Sequence, residues 1–246
     1  MDRMVFTSMT GAMQAFKAQS LHANNLANSN TTGFKADLQA FRSAVIEGPG
    51  FPTRNTAVMQ SAGTDFRSGP LRTTGRDLDM AIEGDGWFVV ENGQGQEALT
   101  RAGNFHLDPF GVIRTASGEA LIGNGGPIAI PPAESMSIAH DGTISIKPLG
   151  SGPDTSVVLD RIKLVNPPMN QLRKDENGLV SMADTNEYVP DSNVRIAQGM
   201  VEMSNVQAVE SMVNMIAMQR HFEMQIKAMD NAEELDRSST ALMRFS

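Results

Sequence analysis

Residues 205–229 read Asn205-Val206-Gln207-Ala208-Val209-Glu210-Ser211-Met212-Val213-Asn214-Met215-Ile216-Ala217-Met218-Gln219-Arg220-His221-Phe222-Glu223-Met224-Gln225-Ile226-Lys227-Ala228-Met229. Within this run Val206, Val209, Met212, Val213, Ile216, Gln219, Phe222, Ile226 and Met229 recur at spacings of three and four, which sets one stripe on one helix face. Neither Gly nor Pro occurs anywhere in residues 200–246. Both residues are costly inside a helix, Gly by ~1 and Pro by ~3 kcal/mol relative to Ala. The spacing therefore predicts one long helix, with Ser204 or Asn205 as its cap. A stripe of that length needs a partner along all of it.

The other end of the chain offers one. Residues 12–32 also lack Gly and Pro, and Met9, Ala12, Met13, Phe16, Ala23, Leu26 and Ala27 form a second, narrower stripe whose small members allow close approach. Residues 1–35 carry a net charge of +2 and residues 204–246 a net charge of −2. We infer that the two ends pair as a helical hairpin or coiled coil. The alternative is that each helix packs separately on the middle of the chain.

That middle has the opposite punctuation. All 12 prolines lie between Pro49 and Pro190, and 20 of the 22 glycines lie between Gly48 and Gly199. Strands are expected at Leu78–Ile82, Trp87–Glu91, Leu99–Arg101, Asn104–Leu107, Val112–Thr115, Ile128–Ile130, Ser135–Ile138, Thr143–Lys147, Ser156–Leu159 and Ile162–Val165. Turns fall between them at Glu83-Gly84-Asp85-Gly86, Asp108-Pro109-Phe110-Gly111 and Asp141-Gly142. Strands spaced in this way, without intervening helices, predict an antiparallel β-domain. The expected fold is thus α+β and discontinuous. Residues 1–35 form the N-terminal helix of a terminal domain, 36–77 an extended connector with Gly48-Pro49-Gly50 and Ser68-Gly69-Pro70, 78–199 the central β-domain, and 200–246 the C-terminal helix of the terminal domain.

Composition excludes several functions. The chain contains no cysteine, so disulfides, thiol catalysis and Cys-ligated zinc are absent. Net charge is −8 with no block of Lys and Arg, which argues against nucleic acid or anionic membrane as a partner. No apolar run approaches the ~18 residues of a membrane span, and Met1-Asp2-Arg3-Met4-Val5-Phe6-Thr7 lacks the pattern of a cleaved signal peptide. His22, His106, His140 and His221 show no ligand spacing, and no hydrolase, nucleotide or metalloprotease motif is present. Asp77, Asp79, Glu83 and Asp85 do not follow a calcium-loop spacing and read as a solvated face. The expectation is no enzyme activity, no metal and no cofactor. A secreted β-domain binding module or enzyme with helical ends is the competing reading.

Where the first helix should end stands Ala23-Asn24-Asn25-Leu26-Ala27-Asn28-Ser29-Asn30-Thr31-Thr32-Gly33-Phe34-Lys35. Asn and Thr side chains compete with helix hydrogen bonds, and Gly33 permits a left-handed turn. This run is either a polar helix terminus or part of a subunit interface, where an amide beside an apolar stripe fixes register.

The same run resembles the N-terminal signature of the flagellar rod and hook proteins. Leu71-Arg72-Thr73-Thr74-Gly75-Arg76-Asp77-Leu78-Asp79-Met80-Ala81-Ile82-Glu83-Gly84-Asp85-Gly86-Trp87-Phe88 is similar to that family's first β segment, and Thr100-Arg101-Ala102-Gly103-Asn104-Phe105 with Asp108, Gly111 and Gly118 to the next. Asn205-Val206 through Met229 resembles its C-terminal helix. Ala98-Leu99-Thr100 departs from the pattern, where an aromatic before the Thr is expected. Within the family, Met1-Asp2-Arg3 and the Gly75–Phe88 text are most similar to a proximal rod member, with distal rod and hook proteins as alternatives.

The resemblance implies a structural subunit of the bacterial flagellar rod, in the basal body within the periplasmic space. It implies export by the flagellar type III apparatus without a cleaved signal, and polymerisation into a hollow axial tube with terminal helices inside and the β-domain outside. Partners would be copies of the chain and other rod proteins. The expected interface residues are Met9, Met13, Phe16, Asn24, Asn25, Leu26, Asn28, Thr32, Gly33, Phe34, Val206, Val209, Met212, Val213, Ile216, Gln219, Phe222, Ile226 and Met229.

Overall fold

The structure is a computed structural model that describes residues 2–45, 55–150, 156–175, 177–182 and 188–244. It is α+β, with one helix at each end and an antiparallel β-rich region between them. Two compact units divide the chain. One comprises residues 1–28, 37–63 and 206–246, and the other residues 29–36 and 64–205.

The first unit holds α1 (Asp2–Ala27), the strand pair β1 (Asp37–Val45) and β2 (Asn55–Thr64), and α2 (Ala208–Arg244). α1 and α2 lie against each other. Gly11 faces Gln225, and His22 feels the charge of Glu210, so the helices run antiparallel. Close approach is possible because the packed face of α1 is made of small groups. Ser8, Ala12, Ala15 and Ala18 are buried on the side that carries Gly11, and a Cβ built on Gly11 would stand 3.0 Å from the Gln225 side chain. On α2, Ser211 and Ala232 are buried, and Met215, Met218, Phe222, Gln225 and Met229 between them are half-buried. Beyond Ala232, residues 233–238 are all exposed. No helix among the described residues is long and apolar enough to cross a membrane.

The second unit begins with short strands that close its base. β3 (Leu71–Thr73) pairs with β18 (Met200–Glu202), and β4 (Met80–Glu83) with β17 (Arg195–Gln198). The main sheet uses β5 (Trp87–Glu91), β6 (Glu97–Thr100), β7 (His106–Leu107), β8 (Ile113–Arg114), β9 (Ala120–Gly123), β10 (Gly126–Pro127), β14 (Leu164–Val165), β15 (Leu172–Lys174) and β16 (Val180–Met182). Its order is β15-β16-β6-β5-β9-β8-β7, with β10 on β9 and β14 on β5. A separate meander is formed by β11 (Ala133–Ile138), β12 (Thr143–Pro148) and β13 (Val157–Arg161).

β5 explains why the strand signal here was continuous and not alternating. Residues Trp87 to Val90 are all buried, because the sheet has a core on each face. Phe88 and Val90 join Phe105, Leu121, Ile128, Ile144 and Ile196 on one side. Trp87 and Val89 join Leu99, Val165, Val180 and Tyr188 on the other. Edge-to-face contacts between Phe88 and Phe105 (5.4 Å) and between Phe66 and Trp87 (5.6 Å) reinforce the two layers.

Several sequence expectations change. Residues 37–45 and 55–64, expected as irregular connector, form paired strands. Their small and polar residues (Ala44, Ser61, Ala62, Gly63) carry little strand signal, and most of their described side chains are exposed. The Gly48-Pro49-Gly50 signal lies outside the described residues. Ile128–Ile130 is not a strand but is joined by a single bridge from Ala129 to Val112. Residues 200–202 belong to β18, and α2 starts only at Ala208. Asn205 does not cap it. Its Oδ1 accepts the Ala36 amide (2.8 Å), and its Nδ2 donates to the carbonyls of Asp65 (2.8 Å) and Arg67 (3.1 Å).

Candidate assembly surface

The residues expected to join the two helices divide between two faces. Phe222 and Met229 face α1. The larger share of both stripes points away from the partner helix. On α1, Met9, Met13 and Phe16 are 42%, 53% and 62% exposed, and Met4 and Phe6 extend the same surface. On α2, Val209, Met212, Val213 and Ile216 are 42–71% exposed, followed by Met224 and Ile226. Gln219, exposed, lies beside Glu223 (3.5 Å). Val206 is half-buried just before α2. α1 thus packs through its small residues against an α2 face that includes Phe222 and Met229, while both helices leave other large apolar residues exposed, an arrangement that marks an interaction surface.

The Asn-rich run behaves differently. Asn25 is buried, its Nδ2 donates to the Asp37 carbonyl (2.9 Å), and its Oδ1 accepts the Asp37 amide (3.1 Å). That two-way bond ties the end of α1 to the start of β1, so the amide works inside the chain. Asn28 donates from Nδ2 to the Asn24 carbonyl (3.0 Å), closing the last turn, while Asn24 is exposed and Leu26 half-buried. Nearby, with His22 neutral at Nε2, the Gln39 amide donates to that nitrogen (2.7 Å). Burial holds the His22 pKa below its ordinary 6.5, against the opposing pull of Glu210.

Gly33 and Phe34 are internal to the β unit. Gly33 has φ +70°, its amide donates to the Glu202 carbonyl (2.8 Å), and an added Cβ would lie 2.3 Å from the Ala102 amide nitrogen. Phe34 lies under the Lys174 ammonium (4.0 Å), and Thr32 is half-buried. Next to them sits a group that sequence reading missed. Lys35 Nζ is 2.6 Å from Glu202 Oε1, and Arg101 Nη1 is 2.8 Å from Glu202 Oε2. All three side chains are at most 3% exposed. The Gly69 amide also donates to Glu202 Oε1 (2.8 Å), Arg101 Nη2 donates to the Gly84 carbonyl (2.8 Å), and the guanidinium lies over Trp87 (5.3 Å). Burial lowers the Lys35 pKa although Glu202 pulls it up. The signal available beforehand was an acid inside the apolar strand Met200-Val201-Glu202. Among the described residues no group of three His, Asp or Glu side chains is placed to hold a metal ion.

Three family models match successive parts of the chain. Residues 7–35 match "Flagella basal body rod protein", 81–146 match "Flagellar hook protein FlgE/F/G D1 domain", and 197–242 match "Flagellar basal body rod FlgEFG protein C-terminal". The flagellar basal-body rod protein FlgF of Salmonella typhimurium is 37% identical over the full length of both chains. This chain belongs to the flagellar basal-body rod protein family. The FlgF of Escherichia coli is 35% identical, again over the full length of both, and the rod protein FlgG of Bacillus subtilis is 30% identical over 96% of this chain and 97% of its own. As a rod-family member the chain is a structural component of the flagellar basal body. The matched segments at 7–35 and 197–242 hold most of α1 and α2, and with them the exposed apolar residues of α2 and those of α1 from Met9 onward.

Proposed function

We propose that this chain is a proximal rod subunit that polymerises, with copies of itself and with other rod proteins, into the hollow axial shaft of the flagellum. The observation that carries this is the division of faces on the terminal helices. Small residues of α1 are buried against α2, which supports a coiled-coil-like pair, while Met9, Met13, Phe16, Val209, Met212, Val213 and Ile216 stay exposed and are available to neighbouring subunits. Exposed Met and aliphatic side chains adapt to unlike partners, as a shaft built from several proteins demands. Contacts between different faces of successive copies do not close, and they generate a helical tube.

Reaching the rod requires export, which we assign to the flagellar type III apparatus, without a cleaved signal, into the periplasmic space. A chain with no cysteine meets no disulfide barrier to unfolding there.

The test is Ile216→Asp. Purified protein keeps its thermal midpoint, because Ile216 is 49% exposed and belongs to neither buried core cluster. A strain carrying only this variant loses rods and hooks in electron micrographs of envelope preparations, as does the deletion strain, and complementation restores both. Full motility in the Ile216→Asp strain overturns the outer-face interface. Complete basal bodies in the deletion strain overturn the rod assignment.

A further inference from the structure

We propose that Met9, Met13, Met212 and Met224 are oxidation sites, and that their conversion to the sulfoxide by a peroxide keeps a copy of the chain out of the assembly without unfolding it. The inference rests on the rod reading above.

Position picks out these side chains. Among the described residues six methionines are 42–58% exposed, namely Met4, Met9, Met13, Met169, Met212 and Met224, and all but Met169 lie on α1 or α2. Met9 and Met13 stand seven and three residues before Phe16. Met212 stands four before Ile216, and Met224 eleven after Val213. At these spacings each shares a helix face with the apolar residues left exposed there. By contrast Met80 is 0% exposed in the core of the β unit, and Met215, Met218 and Met229 are half-buried.

Composition removes the competing targets. The chain has no cysteine thiol, and its one tryptophan, Trp87, is 3% exposed with Arg101 over its ring. An oxidant that reaches the folded chain therefore meets the exposed thioethers first. A sulfur lone pair attacks one oxygen of hydrogen peroxide. The S–O bond forms as the O–O bond breaks, and a proton shift completes one molecule of water. Sulfur gives up the two electrons that reduce the peroxide. Methionine sulfoxide reductases reverse the step with a dithiol, which leaves as a disulfide together with water.

The product acts on assembly and not on the fold. On a helix face in water the new S=O is solvated, so the free chain tolerates it. At a contact that excludes water the same oxygen needs a hydrogen-bond donor, and an apolar neighbour has none. One such unpaired polar group weakens a contact by about tenfold or more, and several sites on one copy compound the loss. Neighbouring subunits that cover these faces also shield them. The sites are therefore open only in a copy that has not yet joined, and oxidation excludes damaged copies from the shaft.

The test has two arms. The purified full-length chain is titrated with hydrogen peroxide, mapped by peptide mass spectrometry and melted. One added oxygen is expected at Met9, Met13, Met212, Met224 and the exposed Met169, with Met80 unchanged and the thermal midpoint kept. Oxidation of Met80 in step with the others, or a falling midpoint, overturns the proposal. The effect on assembly is then read without oxidant, in a strain carrying Met9→Gln, Met13→Gln, Met212→Gln and Met224→Gln together. Gln places a polar carbonyl near the sulfoxide position and is as good a helix former as Met. The expected result is at least about tenfold less of the chain in basal bodies. Leu at the same four positions, close to Met in volume, and Met169→Gln alone are both incorporated as the wild type is. Wild-type incorporation of the four-Gln chain overturns the proposal and leaves the rod reading intact, as does a loss with the Leu set or with Met169→Gln. Absence of the wild-type chain from basal bodies overturns the rod reading and this inference together.

Discussion

Replacing Glu202 by Gln removes one negative charge from a site where two cations depend on it. Glu202 Oε1 accepts from Lys35 Nζ and the Gly69 amide, and Oε2 accepts from Arg101 Nη1. Gln has the same shape but offers one acceptor and one donor, so a donor faces either Lys35 or Arg101. The larger effect is electrostatic. Lys35 and Arg101 are 3% and 2% exposed, and water cannot replace the lost carboxylate. Breaking a buried pair by removing one partner costs about 3–5 kcal/mol, a large share of the ~5–15 kcal/mol that stabilises a typical domain. For a unit of this size that lowers the thermal midpoint by roughly 6–20 °C. Trp87 is the only tryptophan and lies beside Arg101, so its fluorescence reports the unfolding of this unit in urea. Lys35→Met in the same background removes one stranded cation and recovers part of the loss. A loss below ~1 kcal/mol, the level of a solvated surface pair, would refute the claim that these charges are held out of water.

Two further outcomes follow from the helical unit. Ala15→Leu forces a large side chain into the face between α1 and α2, where Ala15 is 2% exposed, and lowers stability by about 1–3 kcal/mol in the helical circular dichroism melt; an unchanged melt contradicts the small-residue packing. Because the folded His22 pKa lies below 6.5, the unfolded chain takes up that proton first as pH falls. The stability of the helical unit is therefore full above the unfolded pKa and declines as pH drops through 6.5 towards the folded value. Urea midpoints at pH 7.5 and 5.5 should show a loss in the parent that His22→Gln reduces; identical pH dependence in both proteins sinks the assignment.

The two helices and the β-rich middle were legible because Gly and Pro punctuate the chain by a local rule. A helix interior excludes both, and that holds whatever the helix packs on. β5 was legible for its length and apolar content. β1 and β2 were not, since most of their described side chains are exposed and leave no apolar alternation to read. Asn25 stood out for its type and place, but its partner, the Asp37 backbone, is twelve residues away across a turn.

By itself, then, the sequence determined the helical ends, the antiparallel middle and, through Asn24 to Lys35 and its companion motifs, the family. Only the tertiary structure decided which side of each helix faces inward. Hydropathy measures how much a side chain gains by leaving water, not whose surface covers it. The strongest apolar residues, Phe16, Val213 and Ile216 among them, were read as the seam between α1 and α2, yet that seam is built from Ala12, Ala15 and Ala18. The Lys35–Glu202–Arg101 site likewise needed the fold, because three charges far apart in the chain share a dry site only once β3 and β18 have paired.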